Sequence, residues 1–547
     1  MVDAGSSITG SGGRIAVEVA RCHGVETMWT LSGAHVFPMY DGAVKADPPM
    51  RLIDVRHEAT AVFAAEATGK LTRRPGLAVL TAGPGVTNGI SAVTGAHFNG
   101  SPLVVLGGRA PQNRWGSGSL QELDHPPLLA PVTKYAGTVT QAADVAQAVN
   151  NAFGFAGRPH RGPVFLDVPM DELYSVTTST LPPPAEPAEG EPDTDALAAI
   201  AGLLRRARRP VLVLGSDVWL AGAATAARTL AEALLLPVVA NGMGRGLLPP
   251  DHPLLVTKAR GAAFAGADLV IVAGAPLDFR LGFGIFGAAE SPAPVVHLAD
   301  SPEQVARHVE LAGSAAGDLT RILALMGAAT PGRYEEWREA LRTQADAVAA
   351  RDAELLGSDT SPIHPARIYG ELRRCLADDA VVIGDGGDFV SFAGRYVEPA
   401  APGGWLDPGP YGCLGTGLGY AMAARIARPG SQVVLLLGDG AAGFSLMDVD
   451  TLVRHRLPVV MIVGNNSAWG LEKGPMQMLY GYDVAADLQP QTRYDEVVRA
   501  LGGAGEKVTQ PAGIAPALRR AFDANAPYLI NVITDPGAAY PRQTLGI

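Results

Sequence analysis

The strongest constraint on the fold is a series of short apolar runs that do not alternate with polar residues. "GLAVLTA", "PLVVLGG", "PVFLDVP", "PVLVLGS", "DLVIVAG", "AVVIGDG", "QVVLLLGDG", "PVVMIVGNN" and "YLINVITD" are all of this kind, with helical stretches between them. A strand wetted on one face alternates apolar with polar residues. A continuous run means burial on both faces, as in a parallel sheet covered by helices. The sequence therefore predicts an α/β protein. At 547 residues the chain exceeds what one core supports. Two seams divide it. "TLPPPAEPAEGEPDTD", Thr180–Asp195, is rich in Pro and Glu and short of apolar anchors, and a charged helical stretch from Pro331 breaks at "GSDTSPIHP". The expected organisation is three doubly wound parallel-sheet domains, residues 1–180, 196–330 and 363–547. A linker at 181–195 and a connecting helix and linker at 331–362 join them.

Composition narrows the partners. A net charge of -11 argues against nucleic acid, which needs clustered Lys and Arg. No basic run favours a membrane surface, and no apolar stretch is long enough to span one. The start "MVDAGSSITGSGG" lacks the cationic and apolar segments of a secretory signal. Cys22, Cys375 and Cys413 lie far apart without CxxC spacing, which suits neither a disulfide framework nor a zinc site. The expectation is a cytoplasmic protein with no nucleic-acid and no membrane partner.

Ligands of parallel sheets gather beyond the carboxyl ends of strands. The stretch "LLLGDGAAGFSLMDVDTLVRHRLPVVMIVGNNSAWG" places Asp439 and the pair Asn465–Asn466 at two such ends. Gly438 and Gly440 permit a tight turn and close backbone approach, and the helical stretch that follows offers N–H groups and a dipole to a diphosphate. Asp439 supplies a hard carboxylate oxygen and Asn466 a neutral one. A Mg²⁺ ion that keeps water and phosphate ligands needs only one or two such protein oxygens. Taken apart, GDG is a turn and NN a helix cap. In the order strand, turn, helix, strand, they suggest a metal–diphosphate site.

GDG followed by NN at this distance resembles the signature of thiamine diphosphate-dependent enzymes of the acetolactate synthase-like and benzaldehyde lyase-like group. The resemblance covers nearly the whole chain and looks nearest to 2-hydroxyacyl-CoA lyases of actinobacterial type. It implies pyrimidine-binding, middle and diphosphate-binding domains. It also implies Mg²⁺ on Asp439, Asn466 and the main chain of Ala468, with cofactor contacts from Gly438, Gly440, Ala441, Trp469 and Gly470.

"DVRHEATAVFAAEATGKLTRRPGLAVLTAGPGVTNG" is similar to a second family run, which implies that Glu58, Thr81, Pro84 and Asn88 face the cofactor. Glu58 would hydrogen-bond the aminopyrimidine. Sharing a proton there favours the imino tautomer, whose nitrogen then removes the thiazolium C2 proton. "RHE" alone is equally a surface Glu that starts a helix. "LDPGPYGCLGTGLG" resembles the segment whose main chain, at Gly412, accepts the 4′-amino group and whose apolar residue, Leu414, bends the cofactor; alone, Leu414 reads as core. "GDGGDF" would add diphosphate contacts from Gly387, Asp388 and Phe389.

Substrate choice is carried elsewhere. His35 in "TLSGAHVFPMYDG" resembles benzaldehyde lyase and 2-hydroxyacyl-CoA lyases at that position, and Gln121 in "GSLQELDH" matches a position lining the substrate side in acetolactate synthase-like members; the resemblance implies a catalytic-site role for both. Glu496 in "TRYDEVVRALGG" resembles the lyases and suggests a second acid–base group, against the plainer reading of an exposed first-turn Glu. The leading expectation is a C–C lyase that splits a 2-hydroxyacyl-CoA into an aldehyde or ketone and formyl-CoA, reversibly. The alternative is an acetolactate synthase-type 2-oxoacid decarboxylase/ligase, with oxalyl-CoA decarboxylase third. A non-catalytic nucleotide-binding module or a nicotinamide dehydrogenase is the competing class, yet "GCLGTGLG" has no apolar strand before it. Relatives use the middle segment for FAD, for ADP or for nothing, and "DFRLGFG" reads first as packing. The partners expected are an acyl-CoA or 2-oxoacid substrate and further copies of the chain, as a homodimer at least and a homotetramer beyond that. The ending "DPGAAYPRQTLGI" stops before any long C-terminal lid.

Overall fold

The computed structural model describes residues 5–184, 190–288, 290–328 and 332–540. Parts of the 181–195 and 331–362 linkers and most of the final "DPGAAYPRQTLGI" lie outside the described residues. Three parallel sheets organise the chain. The first runs in the order Arg51–Asp54, Thr27–Thr30, Gly76–Leu80, Leu103–Arg109, Pro163–Pro169, Tyr135–Thr138. The last runs Trp405–Leu406, Val381–Asp385, Val433–Gly438, Val460–Asn465, Tyr528–Ile533, Ala504–Val508. Numbered in chain order within each sheet, both read 2-1-3-4-6-5. The five-stranded middle sheet reads 2-1-3-4-5. The fold is α/β, with helices on both faces of each sheet.

Burial explains the unbroken apolar runs. In the middle sheet Leu212 and Leu214 enter one core while Val211 and Val213 enter the other. Successive side chains of a strand point to opposite faces, so a strand packed on both sides must be apolar throughout. The order 2-1-3 puts the reversal of winding between the first and third strands of each sheet, where a crevice opens at the carboxyl ends.

Two compact units result. One comprises the described residues up to 188 with Pro408–Pro429 and Phe444–Pro458; the other comprises the described residues of 189–407, 430–443 and 459–540. In the first, helix Glu58–Thr72 is capped by His57, whose Nδ1 accepts the Ala59 N–H, and stops at Arg73 in the left-handed region. Helix Thr416–Ala427 packs along it. Their closest approach is at Gly419, where a Cβ would lie 2.8 Å from the Thr60 carbonyl oxygen and 2.9 Å from the Phe63 Cβ. Beneath them a buried network ties the two helices together: Glu66 accepts from Asn99, Ser101 and Tyr420 and pairs with Lys70 at 3.3 Å. After the GDG turn the expected continuous helix is three short pieces, Asp439–Ser445, Leu446–Asp448 and Val449–Arg454. The break falls at Ser445, whose φ of -134° leaves the helical region.

Gly419→Ala should test the helix–helix approach. Alanine would favour an exposed helix by about 1 kcal/mol, so a net loss of about 1–3 kcal/mol in urea melts would show overpacking winning. Gly430→Ala, where a Cβ meets nothing within 4 Å, serves as the neutral control.

Candidate functional site

Strand Val433–Gly438 lies between Val381–Asp385 and Val460–Asn465, and the loops leaving all three carry polar groups to one end of the sheet. Asp439 is the centre of this cluster. It is 3% exposed; Oδ2 accepts the Ser467 N–H at 2.7 Å and Oδ1 the Gly440 N–H at 3.1 Å. Burial pushes its carboxyl up to about 6, and the N–H groups of Ser467, Gly440 and Ala468 only partly offset this. A buried carboxylate of this kind invites a cation.

The NN pair divides its work. Asn465 is structural: its Nδ2 donates to the Thr492 carbonyl and to Asn531 Oδ1, and Asn531 in turn donates to Asp495. Asn466 stands past the strand end, and its Oδ1 accepts the Ala468 N–H at 3.1 Å. Between them Ser467 has φ +58°, a conformation that its surroundings must impose. Trp469 seals the turn, since a Cβ on Gly440 would lie 2.3 Å from its ring. Gly387, Asp388 and Phe389 begin helix Asp388–Tyr396 beside this cluster, and Asp388 Oδ1 accepts the Tyr540 N–H. An open cavity of about 300 Å³ is lined by Asp388, Asn466, Gly470, Lys473 and Gln477. One carboxylate, one amide oxygen and the main chain beside them form a donor set suited to a hard divalent cation.

The first unit carries the second group of residues. Glu58 opens helix Glu58–Thr72, is 8% exposed and accepts the Asn88 Nδ2–H through Oε2 at 3.0 Å. The helix start is held by Asp448, whose carboxylate accepts the Arg56 N–H at 2.7 Å and the Thr60 hydroxyl at 2.6 Å. These two bonds flank Glu58 on both sides. His35 and Thr81 meet at the mouth of the same sheet, His35 Nδ1 lying 3.2 Å from the Thr81 hydroxyl. Burial lowers the His35 pKa, so the ring is neutral near pH 7. Pro84 starts helix Pro84–Phe98, which carries Asn88, and Gln121 sits against Gly83 with φ +60°. Gly412 and Leu414 belong to the same unit; between them the Cys413 thiol donates to the Ser91 carbonyl.

Glu496 is placed differently. It lies in the first turn of helix Tyr494–Ala500, its side chain 58% exposed, paired with Arg493 at 2.8 Å. Its neighbours point inward instead. Asp495 is buried on Arg493 and Asn531, and the Tyr494 hydroxyl donates to the Asp439 carbonyl at 3.2 Å. Ser467 and Tyr494 thus join the Asp439 cluster, and Asp448 the Glu58 helix start, through hydrogen bonds that no local motif announces. Tyr494 lies in a stretch already singled out, "RYDE", where Tyr494 and Asp495 turn inward and Glu496 outward.

Three family profiles match the chain: "Thiamine pyrophosphate enzyme, N-terminal TPP binding domain" over residues 10–128, the "central domain" over 197–326, and the "C-terminal TPP binding domain" over 385–532. A "Probable acetolactate synthase" of Mycobacterium bovis and the "Acetolactate synthase large subunit IlvG" of Mycobacterium tuberculosis are each 49% identical over 539 residues, 97% of both chains. The "2-hydroxyacyl-CoA lyase 2" of Caenorhabditis elegans is 34% identical over 549 residues, covering 91% of this chain and 84% of the relative. Among the described residues no helix is long and apolar enough to cross a membrane.

The raised Asp439 carboxyl has a measurable sign. Unfolded, the group titrates near 3.8 and folded near 6. Between those values the folded metal-free protein binds more protons, so its stability falls as pH rises. Over that window the wild type should lose about 1–3 kcal/mol relative to Asp439→Asn in urea melts without divalent cation. Parallel pH dependence in the two proteins would contradict the buried, cation-free carboxyl.

Proposed function

The chain belongs to the thiamine pyrophosphate enzyme family, and on that premise we propose that it is a Mg²⁺-dependent 2-oxoacid decarboxylase and carboligase of the acetolactate synthase type. The observation that carries this reading is the likeness to acetolactate synthases along the whole chain, higher in identity than the likeness to the lyase named above. The position of Glu496 supports it as well. A lyase acting on a hydroxyl substrate would use a second acid–base group, and a side chain more than half exposed and paired with arginine is a weak candidate.

In this reading Asp439, Asn466 and the Ala468 carbonyl hold Mg²⁺. The main chain at Gly387–Phe389, Gly438–Ala441, Trp469 and Gly470 holds the diphosphate. Thiamine diphosphate, when bound, supplies a carbon nucleophile and an electron sink. Glu58 keeps one carboxyl oxygen on Asn88 and offers the other to hold a proton at the aminopyrimidine. Asp448 fixes the helix start on which Glu58 stands. Gly412 accepts the amino group through its main chain, and Leu414 presses on the ring system. His35, neutral and buried beside Thr81, and Gln121 in the neighbouring loop orient the 2-oxoacid. The carboxylate half of one copy serves the diphosphate half of another, so the working form is a homodimer or a larger assembly of dimers. FAD or ADP in the middle domain has no support beyond the resemblance that raised it, and the reading does without it.

A 2-hydroxyacyl-CoA lyase is the second reading, supported by the lower but full-length likeness to those enzymes and by His35. Product analysis separates the two. With Mg²⁺ and thiamine diphosphate, pyruvate should give acetolactate, whereas formyl-CoA from a 2-hydroxyacyl-CoA with no acetolactate would reverse the assignment. Glu58→Gln should retain cofactor but slow C2–H/D exchange by about 10²–10⁴-fold, read by NMR of the bound cofactor. Exchange at the wild-type rate would remove Glu58 from the activating role.

A further inference from the structure

His125 is fully buried in the loop that leaves strand Leu103–Arg109, four residues beyond Gln121. Its Nδ1 lies 2.8 Å from Asp167 Oδ2, and its Nε2 accepts the Gly83 N–H at 2.9 Å. Asp167, at 0% exposure on strand Pro163–Pro169, also accepts from Arg109 at 3.0 Å. Arg109 in turn pairs with Asp124 at 2.9 Å and lies 3.9 Å over the Trp115 ring. The Gly83 N–H can only donate, so His125 offers it the Nε2 lone pair and carries its ring hydrogen on Nδ1, facing Asp167. A His–Asp pair of this form often marks a general base. Here the basic nitrogen is occupied by a main-chain N–H, which rules out that role and leaves a mechanical one.

The mechanical consequence is at Gln121. Gly83 has φ +60° and ψ -116° and caps the helix that carries Asn88. A Cβ on Gly83 would lie 2.8 Å from the Gln121 Cβ and 3.2 Å from its Cα, so the two loops touch backbone to backbone. Gln121 is a non-glycine residue at φ +60°, a conformation that persists only when neighbours impose it. We propose that His125 is a positioning residue. Held by Asp167 and holding the Gly83 N–H, it closes the loop on itself and keeps Gln121 in the left-handed conformation that presents its amide to substrate. This rests on the reading that Gln121 serves the substrate. It adds the device that aims the side chain and separates aiming from cofactor activation, which belongs to Glu58 and Asn88.

The test uses the holoenzyme with Mg²⁺, thiamine diphosphate and pyruvate. His125→Phe fills the space and removes both hydrogen bonds. His125→Gln restores their polarity, since the amide N–H can donate to Asp167 and the amide oxygen can accept from Gly83. His125→Phe should lower kcat by about ten- to a hundredfold, the usual cost of a small misplacement, while C2–H/D exchange stays within about twofold of wild type. His125→Gln should recover most of the turnover. Exchange that falls in parallel with turnover, or a Gln variant no better than Phe, overturns the proposal. If the Phe variant does not fold, His125→Leu provides the second arm. It too removes the bonds to Asp167 and to the Gly83 N–H, so unchanged turnover there would also overturn the proposal. A wild type that makes no acetolactate refutes the functional reading instead. The same split is then read with the 2-hydroxyacyl-CoA that the wild type cleaves.

Discussion

A carboxylate buried at the end of a central strand is the constraint on which the diphosphate side of the molecule depends. Asp439 is held by N–H groups from its own turn and from the loop after the next strand, yet burial still outweighs them and leaves its carboxyl near 6. The surrounding features follow from supporting that group. Ser467 takes a left-handed backbone to aim its N–H, Trp469 closes on Gly440, and Tyr494 reaches the Asp439 carbonyl. Asn465, Asn531 and Asp495 form a buried polar set that fixes the strand ends from below. A buried polar group left unpaired costs more than its bond contributes when made, so this scaffold tolerates little change.

The first and last sheets share the strand order 2-1-3-4-6-5 with no evident repeat in sequence. Identical topology puts chemistry at the same edge of each sheet, while the residues there have diverged. One edge gathers oxygens around Asp439. The other presents a single carboxyl, Glu58, at a helix start braced by Asp448. The brace has an electrostatic side as well as a geometric one. Asp448 is itself buried, and burial raises its pKa against the hydrogen bonds from Thr60 and Arg56. Its bonds to the Arg56 N–H and the Thr60 hydroxyl fix the backbone on either side of Glu58.

How much of this was legible depends on the range of the interaction. The parallel sheets were readable because burial on both faces is written into every strand, as Val211–Leu214 shows. Asp439 and Glu58 were readable because each sits in a local motif whose glycines and neighbours carry meaning by themselves. The partition of Asn465 from Asn466 was not, since it depends on Asn531, 66 residues away. Nor was Asp448, whose partners Arg56 and Thr60 stand 392 and 388 residues earlier. In "RYDE" the sequence offered four polar side chains within about one turn. Successive helical residues point about 100° apart, so Glu496 faces solvent while Asp495 beside it is buried, a choice set by the sheet underneath.

The same distinction explains why activation is easier to read than substrate choice. Holding a diphosphate and its metal requires fixed residue types at strand ends, and few alternatives satisfy both charge and reach. Choosing a carbon skeleton requires only that a few side chains be aimed correctly. Side chains can be aimed by groups that themselves need not touch the substrate. His125 has both ring nitrogens committed to protein atoms. His35 is kept neutral by burial. Gln121 sits in a backbone conformation that its own sequence does not favour. Each of these properties arises from contacts between the loops that follow different strands of one sheet. Two chains can therefore share the residues of these local motifs and still differ in loop geometry of the kind that the close approach of Gly83 and Gln121 fixes here.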